Sequence, residues 1–136
     1  MPNNLSTKDP DLAVETVNLC KTYVYSDKSV PVKALDDVSI KIPRGSFFGL
    51  LGPNGAGKST LINILAGLVI KTTGEARICN YDIESNMRRA RLSIGVVPQE
   101  LNLDPYFTPR ELLEVQAGFY GVKKADRRTS EVLEAV

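Results

Sequence analysis

The chain has 136 residues, with 17 Lys and Arg against 16 Asp and Glu and a formal charge of +1, so its charge gives no support for a bulk polyanion such as duplex DNA as a partner. Histidine is absent and the two cysteines, Cys20 and Cys79, lack metal-ligand spacing, which argues against a zinc site and favours buried, reduced thiols in a cytosolic protein. The polar N-terminus has no apolar signal core, and the longest apolar stretch, residues 61–70, is too short to cross a bilayer. We therefore predict a cytosolic or peripheral globular protein.

After a loose polar tail at residues 1–11, the hydrophobic pattern predicts strands of two kinds. Half-exposed strands are expected at residues 12–19, 38–43 and 75–83; the alternation of apolar and polar residues is clearest in the second. Unbroken apolar runs, which are typical of strands buried on both faces of a parallel sheet, occur in "SFFGLL" (46–51) and "IGVV" (94–97).

Four helices are predicted, at about residues 57–68, 85–91, 108–121 and 126–136. The third has the clearest ends, because Thr108 can cap it and Glu111 can complete a capping box. Pro109 suits its first position and Gly121 can close it. The second carries three arginines without interleaved aromatic residues, so we interpret it as a solvated face and predict no nucleic-acid partner.

The stretch "GPNGAGKST", residues 52–60, matches the pattern G-x-x-x-x-G-K-[ST] of a phosphate-binding loop. The context is also suitable, with a predicted buried strand before it and a predicted helix after it. Gly52, Gly55 and Gly57 allow backbone N–H groups to converge on phosphate oxygens without a side chain in the way. The positive end of the following helix also favours an anion.

The last three residues of this stretch supply polar side chains. Lys58 can place a positive charge near the β- and γ-phosphates, and the Ser59 hydroxyl is a hard oxygen ligand for Mg²⁺. Thr60 can donate to a further phosphate oxygen. The alternative is a purely structural glycine-rich turn before a core helix.

The inner residues of the loop, Pro53, Asn54, Gly55 and Ala56, narrow the choice among P-loop proteins. The stretch "LLGPNGAGKSTL" resembles the nucleotide-binding domain of ATP-binding cassette (ABC) transporters. The resemblance implies that ATP and Mg²⁺ are the ligands. The nucleotide-binding residues implied within this loop are Gly52, Pro53, Asn54, Gly55, Ala56, Gly57, Lys58, Ser59 and Thr60.

Two further stretches extend the resemblance. "LCKTY" is similar to the family's "L-[ST]-K-x-Y", which assigns the adenine-stacking aromatic to Tyr23, with Tyr25 as a substitute on the same side of the strand. Without the resemblance, Tyr23 is an ordinary aromatic at a strand end. "IGVVPQE" is similar to the segment that ends in the family's Q-loop, which implies that Gln99 ligates Mg²⁺ or orients the attacking water. Without that resemblance, Gln99 is a solvated loop residue.

The other motifs of the family are absent, since the sequence contains neither "SGG" nor histidine. "ALDD" (34–37) and "LNLDP" (101–105) are poor matches to a Walker B strand, because Lys33 or Asn102 interrupts the apolar run. We therefore expect the N-terminal portion of an ABC ATPase: a fragment, a deliberately shortened chain or a broken open reading frame.

The fold class implied is α/β, a P-loop NTPase (RecA-like) core with an antiparallel β subdomain and the start of a helical subdomain, ending before Walker B. Within residues 12–136, the core is expected at about 12–100 and the helical subdomain from about 101.

The resemblance implies an ATP-binding subunit that couples ATP binding and hydrolysis to export, on the inner face of the plasma membrane. It is greatest to ABC-2 exporters of drugs, nodulation factors or polysaccharides. The implied partners are a transmembrane permease subunit, contacted through the loop after Gln99, and an identical or second ABC ATPase subunit. The 136-residue chain alone is predicted not to hydrolyse ATP. The alternative is a nucleotide-binding module without turnover, either a degenerate gene product or a soluble ABC protein of repair or translation.

Overall fold

The computed structural model describes residues 11–25, 30–97 and 106–136. The strands are β1 (Leu12–Tyr23), β2 (Val32–Pro43), β3 (Thr73–Ile78) and β4 (Tyr81–Asp82), and the helices are α1 (Lys58–Leu65), α2 (Met87–Leu92), α3 (Pro109–Phe119) and α4 (Thr129–Glu134). A short 3₁₀ helix, Lys124–Asp126, precedes α4. The chain forms two compact units, one ending at Val96 and the other beginning at Val97.

The strands of the first unit form one antiparallel sheet in the order β2-β1-β3-β4. The central strand β1 pairs with β2 from Leu12 opposite Pro43 to Tyr23 opposite Val32. Residues 79 and 80 form a two-residue turn between β3 and β4, and both have positive φ, at 49° and 67°. Such turns match the twist of an antiparallel hairpin. The predicted strand at 75–83 is therefore a tight hairpin.

The core of the first unit lies between this sheet and helices α1 and α2. Leu19 of β1 and Ile64 of α1 are completely buried. The other buried members of the core are Leu35, Leu61, Leu65, Ala76, Ile78, Ile83 and Ala90. Burial of each large apolar side chain contributes about 1.5–3 kcal/mol, so the apolar stripe of α1 fixes this helix against the sheet.

The second unit contains α3 and α4, and the predicted capping box begins α3. The Thr108 hydroxyl oxygen accepts a hydrogen bond from the Glu111 amide, while a Glu111 carboxylate oxygen lies 2.9 Å from the Thr108 amide nitrogen. Glu114 joins α3 to α4 by accepting hydrogen bonds from Thr129 and from Arg127. These two hydrogen bonds hold the pKa of Glu114 below its usual value.

The two apolar runs at 46–51 and 94–97 are not strands, so this part of the prediction is wrong. Phe47, Leu51 and Val97 are almost fully exposed, at 104%, 93% and 95%. An apolar run favours burial, but a strand also needs a neighbour for its backbone N–H and C=O groups. Among the described residues, no strand pairs with either run.

Two smaller expectations, the lengths of two helices and the burial of the cysteines, also differ from the structure. Helices α1 and α4 are shorter than their apolar stripes suggested. Cys20 and Cys79 are free thiols but are only half-buried. Cys79 lies in the tight hairpin turn, and Cys20 lies beside the exposed amide of Asp37.

No helix in the described parts of the chain has the length and apolar character needed to cross a membrane.

Candidate functional site

The loop that precedes α1 folds as a tight turn. The Ala56 amide donates to the Pro53 carbonyl oxygen over 3.2 Å. Gly55 and Gly57 have φ values of 85° and 88°, a region that L-residues with side chains rarely adopt. The glycines predicted to shape the loop are thus at positions where the backbone conformation favours glycine.

Strand β2 forms a wall behind the loop. Gly57, the residue before α1, lies so close to β2 that an added Cβ would be 2.3 Å from the Ala34 carbonyl oxygen and 2.8 Å from Leu35 Cδ2. Leu35 is buried, and its side chain belongs to the core. The sequence pattern gave no sign of this contact between residues more than 20 positions apart.

Lys58 is the first residue of α1 and its side chain returns over the loop. Its Nζ donates to the carbonyl oxygens of Gly52 and Pro53 over 2.6 and 2.7 Å. The ammonium is therefore held at the loop by neutral acceptors. An anionic acceptor at the same place would form stronger, charge-assisted hydrogen bonds.

The N-terminus of α1 adds backbone donors to the same region. The N-cap residue, Gly57, has no side chain that could cap this end, and no acidic residue lies in the first turn. The first N–H groups of a helix have no partner within the helix, and the helix dipole makes this end positive. The combination is suited to binding an anion.

The other predicted loop residues lie around these donors. Ser59 is exposed and Thr60 is half-buried, both in the first turn of α1. The exposed residues of the turn are Pro53, Asn54, Gly55 and Ala56. The structure thus brings all nine residues of the predicted loop together, whereas Gln99 lies outside the described residues.

Tyr23 lies at the end of β1, at the same end of the β1–β2 pair as the loop. It is opposite Val32, and Ala34, which contacts Gly57, is two residues further along β2. Two residues of a strand span about 7 Å. The predicted aromatic is therefore near the strand positions against which the loop packs.

Among the residues that the structure describes, Lys21 and Tyr25 lie against the Tyr23 ring. Lys21 Nζ lies 4.8 Å from the ring centroid. The ring of Tyr25 stacks on that of Tyr23, with the centroids 6.0 Å apart and an angle of 25° between the planes. The strand period of two, which places Lys21 and Tyr23 on one face, was a sequence signal for this Lys21 contact.

The "ALDD" stretch does not end a buried strand. Asp36 and Asp37 are exposed near the middle of β2. Asp36 pairs with Lys33 over 2.7 Å, and this hydrogen bond raises the pKa of the Lys33 ammonium. The other candidate, residues 101–105, lies outside the described residues.

Comparison with known proteins gives a family match for most of the chain. The model of the ABC transporter family matches residues 35–136. A relative named Nod factor export ATP-binding protein I, from Paraburkholderia xenovorans, is 41% identical over 119 residues, which are 88% of this chain and 37% of the relative. A protein of the same name from Sinorhizobium fredii is 40% identical over 98% of this chain and 36% of its own length. The chain thus spans about a third of the length of these relatives.

Solved structures similar to this chain include a dimeric ATP-binding cassette in a post-hydrolysis state, bound to ADP and Pi. The TM-score is 0.73 with 33% identity, and the match covers 89% of this chain and 54% of that one. An ATP-binding subunit of an ABC transporter matches with a TM-score of 0.68 and 29% identity, over 83% of this chain and 45% of its own.

These structures confirm the predicted fold class, a partial P-loop NTPase fold with an antiparallel β sheet. The relatives confirm the resemblance to ABC-2 exporters of the nodulation-factor type. The chain belongs to the ABC transporter family, as part of its nucleotide-binding domain.

Proposed function

We propose that this chain is part of the ATP-binding subunit of an ABC exporter, and that residues 52–60 bind the triphosphate of ATP. The observation that carries the proposal is the position of Lys58, whose ammonium lies on the glycine loop at the N-terminus of α1. The ammonium, the glycine loop and the N-terminus of α1 all favour the binding of a phosphate at the same place. The names of the relatives, which are export ATP-binding proteins, support the same function.

Binding exchanges the present partners of Lys58 for the ligand. The carbonyl oxygens of Gly52 and Pro53 are released, and the ammonium moves to the β- and γ-phosphate oxygens. The Thr60 hydroxyl donates to another phosphate oxygen. Because Lys58 is already within the loop, this exchange needs only a side-chain rotation.

Ser59 fits the requirement for a Mg²⁺ ligand, because its hydroxyl is a hard oxygen at the exposed end of α1. When bound, Mg²⁺ supplies charge neutralisation for the phosphates. We assign Gln99 the second protein ligand, or the orientation of the attacking water.

The adenine base stacks on Tyr23, with Tyr25 as the alternative. Both rings lie at the end of β1 that is nearest the loop wall. Stacking of a base on an aromatic ring stabilises binding by about 1–3 kcal/mol.

The complete protein hydrolyses ATP, whereas the 136-residue chain binds ATP without turnover. Hydrolysis needs an activated water as well as charge stabilisation. Lys58, Ser59 and Gln99 contribute to the second task only. In this family the first task belongs to a Glu after Walker B, and no such motif is present in these residues.

The complete subunit lies on the inner face of the plasma membrane. There the loop after Gln99 contacts a transmembrane permease subunit, and a second ATPase subunit, identical or not, completes the site. The dimeric cassette among the similar structures supports this pairing. We further propose that residues 12–100 belong to the catalytic core and that the helical subdomain starts near residue 101.

The competing function is nucleotide binding without turnover, as a degenerate gene product or a soluble ABC protein. The encoding DNA beyond codon 136 separates the two. An in-frame "LSGGQ", a Walker B strand ending in Asp-Glu and a histidine would support the ATPase. A stop codon or the loss of these motifs would support the module without turnover.

Calorimetric titration with MgATP tests the phosphate site. We expect Lys58→Ala to weaken binding at least about tenfold, because it removes charge-assisted hydrogen bonds. Lys33→Ala is the matched control, since it removes an equal charge that is paired with Asp36. Equal affinities for wild type and Lys58→Ala would refute the assignment of residues 52–60.

A further inference from the structure

Lys21 is held by two contacts beside the candidate adenine-stacking residue. Its Nζ donates to the Ile70 carbonyl oxygen over 2.7 Å. The same nitrogen lies 4.8 Å from the centroid of the Tyr23 ring, within the range of a cation–π interaction. The ammonium therefore joins the ring to the backbone of the segment that follows α1.

That segment is fixed against β1 by further hydrogen bonds. The Thr72 amide donates to the Cys20 carbonyl oxygen over 2.9 Å. The Thr22 amide donates to the Thr72 hydroxyl over 2.9 Å. With Ile70 two residues from Thr72, the carbonyl that accepts from Lys21 is in a fixed position. Lys21 is thus anchored at its backbone, on β1, and at its ammonium.

We propose that Lys21 is a positioning residue for base recognition, because its anchored ammonium covers one face of Tyr23 and fixes the orientation of the ring. This inference rests on the proposed function, since it requires that the base of the nucleotide stacks on Tyr23 or on its neighbour Tyr25. The base then stacks on the side of the ring pair that Lys21 does not cover, on Tyr23 or on the Tyr25 ring that is stacked on it. Lys21 itself does not contact the phosphates.

The physical reason is preorganisation. A ring that is free to rotate about χ1 and χ2 loses this freedom when a base stacks on it, which reduces the affinity. A ring that is already held by a cation and by the stacked Tyr25 loses less rotational freedom on binding, so the affinity is reduced less. The effect must be confined to ligands that carry a base, because the cradle at residues 52–60 is not altered.

The test uses the 136-residue chain and two ligands, MgATP and inorganic tripolyphosphate, in calorimetric titrations. Lys21→Met keeps the apolar stem and removes the charge, whereas Lys21→Arg keeps a cation and a donor. Lys33→Met is the matched control, because Lys33 lies opposite Thr22 on β2 and pairs with Asp36. It removes the same charge at the same end of the sheet without altering the ring.

We expect Lys21→Met to weaken MgATP binding about three- to tenfold and to leave tripolyphosphate binding within twofold. Lys21→Arg should recover at least half of the loss, and Lys33→Met should match wild type for both ligands. Circular dichroism and thermal unfolding establish that the variants are folded.

Three outcomes contradict the proposal. Equal losses for MgATP and tripolyphosphate would show that Lys21 acts through its charge or through the fold. An unchanged MgATP affinity in a Lys21→Met variant, with a loss in Tyr23→Ala or Tyr25→Ala, would refute the role of Lys21 while leaving the proposed function intact. No binding of either ligand by wild type would refute both.

Discussion

The Ala34 carbonyl oxygen on β2 lies so close to Gly57 that an added Cβ would be 2.3 Å from it. Ala34 lies in β2 between Lys33 and Leu35, which are opposite Thr22 and Lys21 of β1. Gly57 also has a φ of 88°. Two independent constraints, one steric and one conformational, therefore favour glycine at this position of the loop that we propose binds phosphate.

Gly57→Ala should lower the free energy of unfolding by about 2–5 kcal/mol, as the sum of backbone strain at positive φ and overpacking against β2. Gly55→Ala is the matched control, because Gly55 has a φ of 85° but nothing within 4 Å of an added Cβ. It should lose only about 1–2 kcal/mol, from strain. Urea unfolding measures both values. Equal losses of unfolding free energy in the two variants would contradict the close steric contact of Gly57 with β2.

Ser59→Ala should remove most of the benefit of Mg²⁺ for ATP binding, because the variant lacks the hydroxyl that we assign as a metal ligand. Binding of ATP in EDTA should be nearly unchanged, since Lys58 and the loop amides remain. Titrations of wild type and Ser59→Ala, each with Mg²⁺ and with EDTA, measure the effect. If Mg²⁺ strengthens ATP binding equally in both proteins, the assignment of Ser59 as a Mg²⁺ ligand is refuted.

Tyr23→Ala should weaken the binding of adenine nucleotides by about 1–3 kcal/mol and leave tripolyphosphate binding unchanged, because only the base stacks on the ring. Tyr25→Ala should have a smaller effect, through the loss of the ring that stacks on Tyr23. A fluorescent ATP analogue measures nucleotide binding by both variants, and its displacement by tripolyphosphate measures the binding of that ligand. If Tyr25→Ala gives the larger loss, the stacking role belongs to Tyr25.

Local signals in the sequence were sufficient for much of the fold. The capping box of Thr108 and Glu111 involves residues three positions apart, so no distant contact is needed to predict it. The alternation of residues 38–43 predicted a strand that the structure places in β2. The apolar run at 46–51 was misinterpreted, because strand formation depends on a neighbouring strand, which local hydrophobicity does not specify.

In the candidate site, too, local features could be predicted from the sequence, whereas contacts between distant residues could not. The nine residues of the loop are contiguous, so their motif predicted which residues come together. The wall formed by Ala34 and Leu35, and the anchoring of Lys21 to Ile70, depend on tertiary packing between distant residues. No pattern along the chain specifies these contacts. Gln99 remains a prediction.

Asp82 should make the stability of the first unit depend on pH. Partial burial raises the pKa of its carboxyl, but hydrogen bonds from the amides of Ser85 and Glu84 and from the Ser85 hydroxyl outweigh it, so the pKa lies below its usual value. A lowered pKa means that this carboxylate stabilises the fold above the unfolded value near 3.8. The contribution is lost as the pH falls through the lower, folded pKa.

Asp82→Asn should therefore reduce stability at pH 7 by about 0.5–1 kcal/mol, allowing for screening by solvent. The difference from wild type should shrink below about pH 4, where the wild-type carboxyl also becomes neutral. Ser85→Ala removes one of the three hydrogen-bond donors to Asp82. It should therefore reduce the part of the free energy of unfolding that is lost at low pH. Urea unfolding from pH 7 to pH 3 measures this, and a difference independent of pH would contradict the assignment.

The central claim is that this chain binds ATP through Lys58 without hydrolysing it. Phosphate release and nucleotide binding should be measured on the same sample of the 136-residue chain, with Mg²⁺ present, beside Lys58→Ala and Lys33→Ala. The loss of a catalytic base alone reduces rates by about 10²–10⁴. We expect Lys58→Ala to weaken ATP binding at least about tenfold and Lys33→Ala to leave it unchanged. Phosphate release should stay at the background rate in all three proteins. Mg²⁺-dependent phosphate release that requires Lys58, or equal ATP affinities for wild type and Lys58→Ala, would contradict the account.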